Sequence, residues 1–138
     1  MPKKIIPVLM CSVLLGCDLL YEPAVRSQIP GGFEIARLTY FNSQMDCTLA
    51  VYDIERFDPD SIETGGFVVS NYKSEESLEA QFIGITLLSG KACADNRIRD
   101  EFMEFHGKND NLIMTNPSHN AVIVFNEAAK KLYFSGRD

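Results

Sequence analysis

The sequence predicts a small single α+β domain, mainly antiparallel sheet with two or three helices and one disulfide. Three observations carry this. Apolar residues alternate with polar ones in short runs near both ends of the region after residue 32, which is strand patterning. Between those runs lie two segments whose apolar residues recur three and four apart, the period of a helix. Strands adjacent in sequence are joined by short polar turns, which imposes antiparallel pairing. The chain has 138 residues, 46% hydrophobic and 23% charged. That suits one domain and excludes extensive disorder, collagen-like repeats and low complexity.

Each element has its own reason. Residues 33–41 alternate: Ala36, Leu38 and Tyr40 lie on one side, Phe33, Ile35, Arg37 and Thr39 on the other. Residues 47–54 repeat the pattern with Cys47, Leu49 and Val51, and 42–46 are of hairpin length. Residues 58–65 predict one or two helical turns. Asp58 can cap, Pro59 suits the first helical position and Gly65 the exit. Residues 67–72 read as a short strand.

Residues 75–89 support two readings. Ser74 can cap, the acids favour a helix start, and Leu78, Phe82 and Ile85 recur at helical spacing. The run Phe82 to Leu88 has strand-like composition. The helix is the reading adopted. Residues 96–106 form a second helix: Asp95 caps, Ile98, Phe102 and Phe105 share a face, and Gly107 ends it. Arg97 and Glu101 sit four apart on its outer side. A meander closes the chain, with strands at 112–115, 121–125 and 132–135. The aromatic residues are expected mainly in the core, with Tyr21 and Tyr133 the more exposed.

The first seventeen residues differ from the rest. Lys3 and Lys4 are followed by eleven residues, Ile5 to Leu15, without charge. This run is shorter than the roughly 20 residues of a transmembrane helix and reads as an export signal. Leu14-Leu15-Gly16-Cys17 resembles the lipobox of bacterial lipoproteins. The resemblance covers the export signal alone. It implies cleavage before Cys17, a diacylglycerol on the Cys17 thiol, and usually acylation of the new amino terminus. Several acyl chains on one residue make membrane residence effectively permanent, where a single chain holds only marginally. Asp18 resembles the signal that keeps such proteins in the inner membrane, which leans the location that way. The expected organisation is a removed signal at 1–16, a lipidated Cys and flexible tether at 17–32, and a globular domain at 33–138. The expected location is the bacterial envelope, anchored by lipid and facing the periplasm or the exterior.

Cleavage removes two lysines and no acid, leaving 11 basic and 19 acidic side chains, a net charge of -8. Residues 46–79 hold nine acids against Arg56 and Lys73. Such a surface repels phosphate backbones and anionic headgroups, so nucleic-acid binding is not expected. It serves solubility or meets a basic partner. With Cys11 removed and Cys17 acylated, Cys47 and Cys93 remain, an even pair in an oxidising compartment. Their bridge would contribute about 4 kcal/mol by the chain-entropy model.

Motifs for chemistry are sparse. Ser70-Asn71-Tyr72-Lys73 fits S-x-x-K and Ser118-His119-Asn120 fits S-x-N, but K-T-G is missing and Ser70 ends a strand rather than opening a helix. Residues 84–91 miss the spacing and the Ser or Thr of a phosphate loop. Asp53, Glu55, Asp58 and Asp60 lack the Gly-permitted turn of a calcium loop. Glu101 and Glu104, with His106 nearby, read as solvent-facing helix residues. No catalytic, cofactor-binding or metal-binding residue is therefore assigned. The expected function is a membrane-anchored envelope module that binds a protein partner. The alternatives are a small envelope hydrolase with an unrecognised site, and a structural envelope protein.

Overall fold

A computed structural model describes residues 22–62, 66–69, 78–106, 108, 110–118 and 120–137. Cys17, Tyr21, Gly65, Ser70–Lys73, Ser74, Gly107 and His119 lie outside the described residues, as does the His106 side chain. A short helix, α1, covers 22–28. Then follow β1 (Phe33–Gln44), β2 (Cys47–Phe57), a 3-10 turn (Pro59–Ser61), β3 (Val68–Val69), α2 (Leu78–Ala92), α3 (Asn96–His106), β4 (Leu112–Thr115), β5 (Ala121–Asn126) and β6 (Lys131–Gly136). The six strands form one antiparallel sheet in the order β1-β2-β6-β5-β4-β3. The α+β architecture matches the expectation.

The β2–β6 ladder joins the two halves of the chain. Thr48 to Asp53 pair with Gly136 to Lys131, placing the last strand beside the first hairpin. This makes β5 and β6 central. Every residue of β5 is buried, so Ala121 to Phe125 run apolar without alternation, as a strand covered on both sides requires. One face carries α2 and α3. There Leu49, Val51, Val122, Val124 and Tyr133 share a core with Ile83, Leu87, Ile98, Phe102 and Phe105. The other face packs Ala50, Tyr52, Ile123, Phe125 and Phe134 with Val25 of α1, Ile62 and Phe67. Three rings tighten this second core: Phe33, Phe57 and Phe125 have centroids 4.8 to 4.9 Å apart.

Two of the caps predicted from sequence lie within the described residues, and both form. Asp58 Oδ1 accepts from the Asp60 amide at 3.1 Å, with Pro59 opening the turn. Asp95 Oδ1 accepts from the Ile98 amide at 2.8 Å, and Ile98, Phe102 and Phe105 face inward. Residues 78–92 are helical, which settles the ambiguity of that stretch in favour of the helix.

Three expectations change. Residues 22–32, expected to belong to a flexible tether, include α1, with Val25 5% exposed and Pro30 and Gly32 buried. The Gly32 carbonyl accepts from the Asp58 amide at 2.8 Å, which fixes the entry to β1. An apolar surface was waiting for Val25, and sequence periodicity over seven residues could not announce it. Tyr133, expected to be exposed, is 1% exposed because β6 is central rather than peripheral. In α2 the inward residues are Ile83, Thr86, Leu87 and Gly90, whereas Ile85 is 48% exposed. Of the stripe read from sequence, Ile85 thus points outward and Phe82 is half-buried, while the Leu78 side chain lies outside the described residues.

Both sheet edges are protected. β1 has three register shifts against β2, and its exposed side carries Arg37–Asp53 at 2.6 Å and Arg56–Glu34 at 2.8 Å. β3 is two residues long. Irregularity, charge and shortness each discourage pairing with another chain.

Candidate functional site

Cys47 opens β2, and Cys93 lies in the short link between α2 and α3. They form a disulfide with Cα atoms 5.7 Å apart. Both are buried, at 5% and 1% exposure. Three hydrogen bonds surround the bridge. Tyr40 Oη donates to the Cys93 carbonyl at 2.7 Å, and Asn42 Nδ2 donates to the same carbonyl at 2.8 Å. The Asp95 amide donates to Tyr40 Oη at 3.1 Å. The orphan carbonyl at the end of α2 is thus satisfied by β1. This corner clamps the helix pair to the first hairpin. Burial keeps the sulfurs from exchange partners, so the chemistry here is structural. Tyr40 and Asn42 were missed in sequence, where they read only as strand and turn residues.

The surface offers two features. The first is a cleft of about 540 Å³ between α1, the β1–β2 turn and the end of β6. Ala24 and Gln28 form one wall, Ser43, Met45 and Thr48 another, and Phe134 and Ala121 contribute apolar surface. Arg137 also borders it, but its Nε donates to Thr86 Oγ1 of α2 at 3.2 Å, which draws the guanidinium toward the opposite face. The described lining thus mixes amides, hydroxyls and apolar groups, and holds no carboxylate or imidazole.

The second is the outer side of α2. Gln81, Ile85, Leu88 and Ala92 are exposed at successive spacings of four, three and four, which places them in one line along the helix. Leu88 is 61% exposed. The sequence has no charge from Ala80 to Gly90. Gly84 flanks the line, and a Cβ placed there would meet no atom within 4 Å.

Titration is altered at two buried phenols. Burial pushes Tyr52 above the ordinary phenol range, and Glu22, which accepts from its hydroxyl at 3.2 Å, adds to the shift. Burial likewise raises Tyr133 to about 12, with smaller contributions from Glu101 and Asp53. Both stay protonated at neutral pH and cannot act there as bases. The sequence candidates for chemistry are dispersed or engaged. Asp53 pairs with Arg37, Asp58 caps the 3-10 turn, and Glu101 and Glu104 are exposed. Residues 84–91 lie within α2, where the backbone amides are committed to the helix. Among the described residues, no group of three His, Cys, Asp or Glu converges on a common point. No described helix is long and apolar enough to cross a membrane.

No protein-family model, no curated protein sequence and no solved structure matches this chain.

Proposed function

We propose that the protein is a lipid-anchored module of the bacterial envelope, attached through Cys17 and binding a protein partner through the outer side of α2. One observation carries the binding reading: the uncharged line of Gln81, Ile85, Leu88 and Ala92 on an otherwise acidic molecule. Aligned exposed apolar residues mark association surfaces more often than isolated ones do. A single helical line fits an apolar helix laid alongside it. The partner chemistry is therefore an apolar helical segment of another envelope protein. The attachment reading rests on Lys3, Lys4, the apolar run and Leu14-Leu15-Gly16-Cys17.

The test is site-specific photocrosslinking in intact cells, with the reactive group at position 88 and, separately, at position 104 on the charged face of α3. Cys17→Ser is run beside both. A discrete product from position 88, weak from 104 and lost in Cys17→Ser, supports a membrane-localised interaction. Equal labelling from both positions, or no product from position 88, refutes the α2 surface. The intact mass of the membrane-extracted protein tests the anchor separately.

A further inference from the structure

We infer that the α1 side of the domain is its bilayer-facing side, held there by the shortness of the chain between Cys17 and α1. This rests on the lipid attachment proposed above.

Five Cα-to-Cα steps separate Cys17 from Glu22, where α1 begins. Whatever conformation they take, they span at most about 18 Å. If the tether ran to the first strand at Phe33, sixteen steps would allow about 58 Å. Docking of α1 decides between these lengths. Val25 is buried in the core with Ala50 and Phe134. Glu22 pairs with Arg26 at 2.9 Å and accepts from Tyr52, and the Arg26 guanidinium lies 5.7 Å from the Tyr52 ring centre. Seven residues are too few to hold a helix in isolation. Helix formation and docking of α1 are therefore one event, and that event shortens the leash.

The leash also orients the domain. α1 and α2 lie on opposite faces of the sheet. The outer side of α2 is about 25 Å from the α1 axis, given one layer spacing of about 10 Å on each side and the radius of a helix. A leash of about 18 Å cannot let α2 lie flat on the bilayer. Of the two sheet faces it leaves only the α1 face able to lie on the headgroups, with the α2 line turned away from them.

The chemistry of the α1 side is mixed. Glu22 and Arg26 of α1 pair with each other, while exposed Asp58 and Asp60 stand on the same face beside Ile62. Met45, 85% exposed at the β1–β2 turn, borders the same cleft as Ala24 and Gln28. Its flexible apolar side chain suits an interfacial contact.

The full-length protein, purified from membranes with its lipid, is reconstituted into vesicles of phosphatidylcholine and phosphatidylglycerol that contain a headgroup-labelled nitroxide lipid. A fluorophore is placed at Gln28→Cys in one sample and at Leu88→Cys in another. Quenching several-fold stronger at position 28 than at 88 is expected. A ten-residue Gly–Ser insertion between Tyr21 and Glu22 leaves α1 intact and should bring the two positions toward equality. Val25→Asp, which undocks α1, should do the same. Equal quenching in the uninserted protein, stronger quenching at 88, or indifference to the insertion overturns the inference while the attachment stands. Protein that neither sediments with vesicles nor carries lipid mass removes the attachment and the orientation together.

Discussion

Alanine at Gly90 and alanine at Gly84 should move stability in opposite directions, although both glycines lie in α2. In an open helix interior, Gly to Ala is worth about 0.8–1.0 kcal/mol of stability. Gly84 meets that condition, because a Cβ there finds nothing within 4 Å. Gly90 does not. Its Cβ would overlap Ser135 Oγ and sit 2.8 Å from Ser135 Cβ, on the buried seam between α2 and β6. Overpacking of that kind costs about 1–3 kcal/mol. It also disturbs the buried bond from Ser135 Oγ to the Thr86 carbonyl at 2.6 Å, and a buried polar group left unpaired adds about 1–3 kcal/mol. The gain in helix propensity offsets about 1 kcal/mol. The net expectation for Gly90→Ala is a loss of about 1–5 kcal/mol, and for Gly84→Ala a gain of up to about 1 kcal/mol. Ser135→Ala should not rescue Gly90→Ala, since the Cβ contact remains. Urea melts of the oxidised domain, followed by circular dichroism, read both shifts as changes in midpoint at constant slope. If Gly90→Ala proves as stable as the parent, the close helix–sheet approach is refuted. If both variants shift the same way, the reasoning from local space fails.

Three further outcomes follow from the same structure. Removing the bridge with Cys47→Ala and Cys93→Ala together should lower stability by about 4 kcal/mol, checked by denaturant melts against the oxidised parent. Tyr40→Phe removes the hydroxyl that serves both Cys93 and Asp95. It should cost about 0.5–1.5 kcal/mol, because the Asp95 amide loses its acceptor while Asn42 Nδ2 still serves the Cys93 carbonyl, and Thr39→Val on the same strand serves as a comparison. Alkaline pH should destabilise the fold in a defined window. The phenols of Tyr52 and Tyr133 are raised in the folded state, Tyr133 to about 12, whereas an unfolded tyrosine titrates near about 10. Their contribution is complete below about pH 10 and is lost as pH climbs through the folded values, because only the unfolded chain releases those protons. The slope approaches about 1.4 kcal/mol per pH unit for each phenol. Tyr133→Phe should flatten the profile of unfolding midpoint against pH, and an unchanged profile would count against the burial assignment.

Local rules accounted for most elements. Asp58 with Pro59, and Asp95 ahead of Ile98, carry their caps within three residues, so no distant partner had to be known. α3 was legible because Ile98, Phe102 and Phe105 stand out against charged neighbours. α2 was harder for the opposite reason. Its run from Ala80 to Gly90 has no charged face, so composition could not say which side packs, and even strand and helix competed. The corner at Cys93 was half legible. Two leftover cysteines indicated a bridge, but the hydroxyl and amide that hold the Cys93 carbonyl come from residues more than fifty positions away.

Taken alone, the sequence determined the class of fold, the capped turns and helices, the cysteine pair and the uneven acidity. Each of these is encoded within a few neighbouring residues or in simple counts. Tertiary structure decided the rest. Pairing β2 with β6 made the final strand central and buried Tyr133. The approach of Gly90 to Ser135 set the rotation of α2 and left Ile85 and Leu88 outside. An apolar pocket for Val25, with Tyr52 beneath Glu22 and Arg26, drew residues 22–28 into a helix. The physical reason is common to all three. Strand order, helix rotation and the docking of short segments are set by contacts between residues far apart in the chain, and neither periodicity nor propensity contains those contacts.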